Sequence, residues 1–174
     1  MLNRIKINYD VLEMMVFFWE SMSSKEKVVD AYCIEVSEKT EMAPLYGKEF
    51  TKESVRKVMS ALSNRELVNH PTKKESRFWN NNMWMTEDMD NMKEMLQSVK
   101  LLNLDHLKEE YTEQTKSEVI NIVFIPGHED TYYVDGNTLT INFFKLIADF
   151  LDGSIKIEGK PMQEFIEEKV KELL

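Results

Sequence analysis

The hydrophobic pattern changes near residue 117, and this change most constrains what the chain can fold into. Before that point, apolar residues recur every three or four positions, which is typical of amphipathic helices. After it, Val119–Ile125 forms an apolar run interrupted only by Asn121, and strand-like segments separated by turn residues follow. The pattern predicts an α+β protein. We expect a mainly helical N-terminal part of four or more helices, packed with a three-stranded antiparallel meander that is followed by a helix, a short strand and a helix.

The length and composition predict a single folded domain. A chain of 174 residues with 43% hydrophobic residues, five glycines and four prolines is long enough to bury a sizeable core. The domain spans residues 1–174, and the change of pattern divides it into possible sub-lobes at 1–116 and 117–174.

Helix signals recur through the first hundred residues. The strongest is at Thr51, where a capping residue precedes Val55, Val58 and Met59 on one stripe. The predicted helices cover a segment from Asn8 or Asp10 to Met22, a segment beginning at Ser23, a segment following Thr51, and residues 86–102. Residues 66–85 are ambiguous, since Pro71 and the polar stretch after it allow a β-hairpin with Lys73 and Lys74 in its turn.

Strand and turn signals dominate the C-terminal part. The Asp135-Gly136 dipeptide is a strong hairpin signal, and Pro161 suits the start of a helix because a proline there sacrifices no hydrogen bond. The predicted strands cover 119–125, 131–134, 138–142 and 155–157. A helix is predicted from its cap at Asn142 to Leu151, and a second helix after Pro161.

No motif in the chain predicts catalysis, a metal site or a cofactor. The three histidines, His70, His106 and His128, have no second ligand at a metal-binding spacing, and no phosphate-binding glycine loop occurs. The single cysteine, Cys33, cannot form an internal disulfide, which is typical of a reducing compartment. The apolar run from Val11 to Trp19 is too short to cross a membrane and reads as a buried helix. We therefore expect a cytoplasmic protein with no membrane partner.

Charge is distributed unevenly. Residues 48–77 contain eight basic and four acidic residues, a net charge of +4, which leaves −13 for the rest of a chain whose total is −9. Three helices followed by a basic hairpin resemble the order of elements in a winged-helix DNA-binding domain. In that alternative the residues that contact nucleic acid are Lys52, Arg56, Lys57, Lys73 and Lys74.

The acidic remainder favours a different function. A small acidic protein without catalytic motifs can bind a basic partner protein and antagonise or regulate it, with charge steering the encounter. Trp79, Asn81 and Trp84 are the candidate contact residues, because aromatic rings beside amide groups suit a binding surface. A protein-interaction function is the first hypothesis, and DNA binding is the alternative. An enzyme whose catalytic groups are dispersed in sequence is a second alternative.

Overall fold

The computed structural model describes residues 1–174, and helices occupy most of its first 110 residues before the strands of the C-terminal part. The α+β class is confirmed. The helices are α1 (Asp10–Ser23), α2 (Asp30–Ser37), α3 (Lys52–Ser63), α4 (Lys73–Glu87), α5 (Met89–Lys100), α6 (His106–Glu110) and α7 (Met162–Leu173). The strands are β1 (Arg4–Asn8), β2 (Val119–Ile125), β3 (Tyr132–Asp135), β4 (Thr138–Asn142), β5 (Ile147–Ala148), β6 (Ile155–Ile157) and β7 (Lys160–Pro161). Short 3-10 segments cover Thr40–Leu45 and Phe143–Lys145.

The first sheet has the strand order β1-β2-β4-β3. β2 pairs in parallel with both β1 and β4, and β3 pairs antiparallel with β4. The register aligns Ile7, Ile122, Leu139 and Val134 in one row, and Lys6, Asn121, Thr138 and Asp135 in the next. Because neighbouring rows point to opposite faces, one face of the sheet is apolar and packs on the core, while the other is polar.

The predicted antiparallel meander is wrong in its pairing. β3 does not lie beside β2, because β4 takes that inner position and leaves β3 at the sheet edge. Burial explains the arrangement, since β4 is almost entirely buried whereas β3 is half exposed. The N-terminal strand β1, which the sequence pattern did not predict, supplies the second neighbour that the buried strand β2 requires.

The possible hairpin at 66–85 is also wrong, because most of this segment is helix α4. The helix begins with a reciprocal capping box. The amide of Glu75 donates to Thr72 Oγ1 at 3.1 Å, and the amide of Thr72 donates to Glu75 Oε1 at 2.9 Å. The helix predicted at 86–102 is divided accordingly, since α4 runs to Glu87 and α5 begins at Met89.

Two further helix predictions need correction. The helix predicted to begin at Ser23 begins instead at Asp30, because α1 continues through Ser23. The segment predicted as a helix up to Leu151 forms the short 3-10 turn capped by Asn142, then strand β5 of a second antiparallel sheet ordered β5-β6-β7. Gly153, with φ of 72°, adopts the left-handed conformation that the turn between β5 and β6 requires.

One cluster of buried apolar side chains joins both parts of the chain. Trp19 of α1 is fully buried in it, with its ring stacked on Phe143 at 5.8 Å between ring centroids. Cys33 is also buried, and it forms no disulfide. None of the helices combines the length and the apolar character needed to cross a bilayer.

Candidate functional site

Helix α4 carries five of the residues predicted to bind a partner or nucleic acid, and it spreads them over different sides. A helix turns by about 100° per residue, so Trp79 and Trp84 point about 140° apart around its axis, whereas Asn81 and Trp84 are about 60° apart. The three predicted contact residues therefore do not form one surface. Trp84 is 66% exposed, while Trp79 is half-buried.

Two adjacent asparagines hold α4 against the rest of the molecule, and one of them, Asn81, also lines a groove with Trp84. Asn82 is fully buried, and its Oδ1 accepts a hydrogen bond from Trp19 Nε1 at 2.9 Å. Asn81 Nδ2 donates to the carbonyl oxygens of Gly127 at 3.2 Å and His128 at 3.3 Å. The amide of Asn81 thus anchors the loop after β2, and this contact gives it a structural role.

The loop after β2 is closed around a buried histidine. The amide of Glu129 donates to His128 Nδ1 at 2.8 Å, so Nε2 carries the proton and donates to the carbonyl oxygen of Leu45 at 3.1 Å. Burial lowers the pKa of His128 despite the Leu45 hydrogen bond, which opposes that shift. Both ring nitrogens are occupied, so this histidine has no free nitrogen for acid–base chemistry.

The predicted basic residues are largely engaged with carboxylates. Arg56 lies 3.3 Å from Asp30 and 3.0 Å from Glu53, and Lys57 Nζ lies 2.9 Å from Glu75 Oε1. Lys73 is exposed, with Nζ 3.9 Å from Glu129 Oε1, whereas Lys52 and Lys74 form no ion pair. The alternative of DNA binding stays a prediction, and it loses the hairpin that it required as a wing.

The Lys57–Glu75 pair joins α3 to the first turn of α4. The carboxyl group of Glu75 is buried, and burial alone would raise its pKa. Hydrogen bonds from Thr72 and Lys57 outweigh that effect and lower the pKa of Glu75. The pair therefore has a structural role at the start of the helix that carries Trp79 and Trp84.

The exposed side of α4 contributes to an apolar groove of about 390 Å³. Its walls come from α4, α5 and the segment that leads into β5. We call it, together with the turn that follows β5, the Trp84 surface. Its apolar members are Trp84, Met85, Met95, Phe144, Leu146, Ile147, Phe150 and Leu151.

The turn after β5 presents two apolar side chains to solvent. Phe150 is 99% exposed and Leu151 is 92% exposed. The turn is nevertheless tightly bonded, since Asp149 Oδ1 accepts hydrogen bonds from the amides of Leu151 at 2.8 Å and Asp152 at 3.2 Å. Lys156 Nζ contacts the other carboxylate oxygen of Asp149 at 2.6 Å. Two large apolar side chains are thus held outside the core by an ordered backbone.

The charges beside the Trp84 surface sum to −2. Asp88 is the one charged residue that lines the groove, and Asp149 and Asp152, which flank the exposed pair of the turn, share Lys156 as their ion-pair partner. The hydrogen bond from Lys156 and those from the turn amides lower the pKa of Asp149 to about 2. This carboxylate is therefore charged at any physiological pH.

The sequence pattern predicts Trp84 as a contact residue but does not identify Ile147, Phe150 and Leu151. The spacing of these three residues matches one apolar face of a helix, which is typical of a buried face. The Asp152-Gly153 dipeptide was the signal that could have identified the turn.

No group of three or more His, Cys, Asp or Glu side chains is placed to hold a metal ion. Comparison with known proteins found no matching family model, no similar curated protein and no similar solved structure. An enzyme with a dispersed active site stays a prediction.

Proposed function

We propose that this protein is a non-catalytic interaction protein of the cytoplasm, which binds a basic partner protein through the Trp84 surface and thereby antagonises or regulates it. The observation that carries the proposal is the turn after β5, where Phe150 and Leu151 are almost fully exposed on a hydrogen-bonded backbone. Exposed apolar clusters of this kind are unusual on a monomer and mark interaction sites.

The order of the turn favours binding. A backbone held in place before association loses less conformational entropy when the partner arrives. Phe150 and Leu151 supply apolar area, and Trp84, which lines the groove together with Ile147 of β5, adds a large ring of the type that dominates interface energies. The groove beside Trp84 can accept an apolar side chain of the partner.

The charges favour a basic partner. Asp88 lines the groove, and Asp149 and Asp152 flank Phe150 and Leu151 along the chain. Lys156 pairs with both Asp149 and Asp152, so these four groups carry a net charge of −2, and the whole chain has a net charge of −9. A complementary surface has an apolar centre and a rim of lysine or arginine, and opposite charges accelerate the encounter at low ionic strength.

The test compares the wild type with the Phe150→Ser variant and with a matched control, Leu101→Ser. Leu101 is also strongly exposed, at 70%, but it does not belong to the Trp84 surface. Proteins captured by each immobilised variant are identified by mass spectrometry, and the affinity of the recovered protein is then measured by calorimetry. We expect one basic protein that binds the wild type and Leu101→Ser, and that binds Phe150→Ser at least about tenfold more weakly.

Two results contradict the proposal. One is a captured partner that binds Phe150→Ser and the wild type with equal affinity. The other is a homodimer of the purified wild type that Phe150→Ser converts to a monomer in light-scattering measurements. That outcome assigns the Trp84 surface to a second copy of the chain.

A further inference from the structure

A cavity of about 530 Å³ lies between the C-terminal ends of α1 and α3 and the C-terminal half of α4. Its volume falls in the usual range of small-molecule sites. Met22, Leu62, Trp79 and Met83 form its apolar walls. None of its lining residues belongs to the Trp84 surface, so a ligand of this cavity is independent of the proposed function.

Helices α1 and α3 end at this cavity in the same way. Beyond α1 the amide of Glu26 donates to the carbonyl of Ser21 at 2.8 Å, and beyond α3 the amide of Glu66 donates to the carbonyl of Ala61 at 2.8 Å. The residue before each glutamate, Lys25 or Arg65, is left-handed, with φ of 62° and 59°. Glycine is the usual residue at this position of such a helix end. Here the residue at each of the two positions is basic and lines the cavity.

The mouth of the cavity has a negative electrostatic character. Five charged side chains surround it, two cationic and three anionic: Lys25, Arg65, Glu26, Glu66 and Glu87. None of them forms an ion pair in the structure. One negative charge is therefore in excess. The C-termini of α1 and α3 add their negative helix-dipole ends to this field.

The accessible part of the aromatic wall is carbon. Trp79 is half-buried, and its Nε1 is buried without a hydrogen-bond partner. The indole therefore offers carbon surface to the cavity, next to the thioether side chains of Met22 and Met83. Aromatic carbon surface attracts organic cations, and the attraction increases when the cation is partly desolvated.

We infer that this cavity binds a small organic cation, a quaternary or alkylated ammonium compound. Its apolar body contacts Trp79, Met22 and Met83, and its charge lies toward Glu26, Glu66 and Glu87. Apolar walls combined with an excess of negative charge distinguish this ligand class from a neutral apolar compound and from an anion.

The test uses choline and its uncharged isostere 3,3-dimethylbutan-1-ol, which share a shape and differ in charge. Binding to the full chain is followed by NMR amide shifts. We expect saturable binding of choline, with shifts at Trp79 and Met83, and binding of the alcohol at least about tenfold weaker. Glu87→Gln, at an exposed residue of the mouth, weakens choline binding, whereas Glu94→Gln, on the exposed face of α5, leaves it unchanged.

Trp79→Leu removes the aromatic wall and is expected to abolish choline binding. If this variant does not fold, Trp79→Phe, which keeps a smaller ring, is expected to bind choline more weakly than the wild type. Three results overturn the inference. The first is equal affinity for choline and the alcohol, and the second is the absence of saturable choline binding. The third is an effect of Glu94→Gln on choline binding as large as that of Glu87→Gln.

Discussion

Gly127 and Asn142 offer the sharpest test of the packing that supports α4. The side chain of Asn142 is fully buried and makes four hydrogen bonds with the backbone. Its Oδ1 accepts from the amides of Gly127 and Phe144, each at 3.1 Å, and its Nδ2 donates to the carbonyls of His128 and Asp130. Asn142→Ala leaves these four backbone groups without their partner.

The expected loss in the free energy of unfolding follows from the burial of these four groups. A buried polar group that loses its partner costs about 1–3 kcal/mol, and the groups nearest the surface regain water, so Asn142→Ala is expected to cost about 3–4 kcal/mol. A methyl group on Gly127 would lie 2.5 Å from Cγ of Asn142, about 1 Å closer than a favourable carbon contact. Because Asn142 cannot move aside without losing its hydrogen bonds, Gly127→Ala is expected to cost a similar amount.

The double variant distinguishes this explanation from general damage to the loop. Gly127→Ala with Asn142→Ala removes the atoms that the new methyl group would meet, so it should cost about as much as Asn142→Ala alone. The coupling between the two substitutions is then about 3 kcal/mol. Urea unfolding followed by circular dichroism measures all four proteins. The explanation is refuted if the losses in unfolding free energy of the two single variants add up in the double variant. It is also refuted if Gly127→Ala is as stable as the wild type.

Three further predictions concern the charged contacts of Glu75 and Asp149. Glu75→Gln should cost about 1 kcal/mol, because Lys57 is partly exposed and recovers water, whereas Glu53→Gln at an exposed pair should change stability by less than about 0.5 kcal/mol. Because folding lowers the pKa of Glu75, its contribution to the free energy of unfolding is fully present above its unfolded pKa of about 4.3 and is lost as the pH falls through the folded value. The difference in unfolding free energy between the wild type and Glu75→Gln should therefore be smaller at pH 3 than at pH 7. The pKa of Asp149 is lowered to about 2, so an NMR titration of the turn amides should show a midpoint near that value. A midpoint of about 4, the value for a free aspartate, would mean that neither the Lys156 contact nor the turn hydrogen bonds hold in solution.

Local signals predicted the elements whose stabilising contacts are close in sequence. α3 begins after its capping residue Thr51, and β2 covers Val119–Ile125, as predicted. The start of α4 had a local signal too, the spacing of Thr72 and Glu75, but Pro71 and the polar residues around it also suited a turn. Tertiary contacts favour the helix: Glu75 pairs with Lys57 of α3, and Asn82 bonds Trp19 of α1.

The sequence pattern could not predict the pairing of strands that are far apart in the chain. β1 contacts β2 after more than one hundred intervening residues, and a parallel pair has no connecting turn to reveal it. The same limit applies to the exposed turn. Phe150 and Leu151 have helical spacing relative to Phe143, so only the pairing of β5 with β6 shows that they lie outside the core.

Helix α4 contributes to both the Trp84 surface and the cavity beside Trp79, and its contacts with other elements hold the helix in place. Asn82 bonds Trp19, Asn81 bonds the loop after β2, and Glu75 bonds α3, so three separate regions of the molecule restrain one helix. A helix restrained in this way has little freedom to rotate or shift when one side is occupied. Coupling between two sites requires an element with two arrangements that both ligands bias. Since these contacts favour a single arrangement of α4, the Trp84 surface and the cavity should bind their ligands independently.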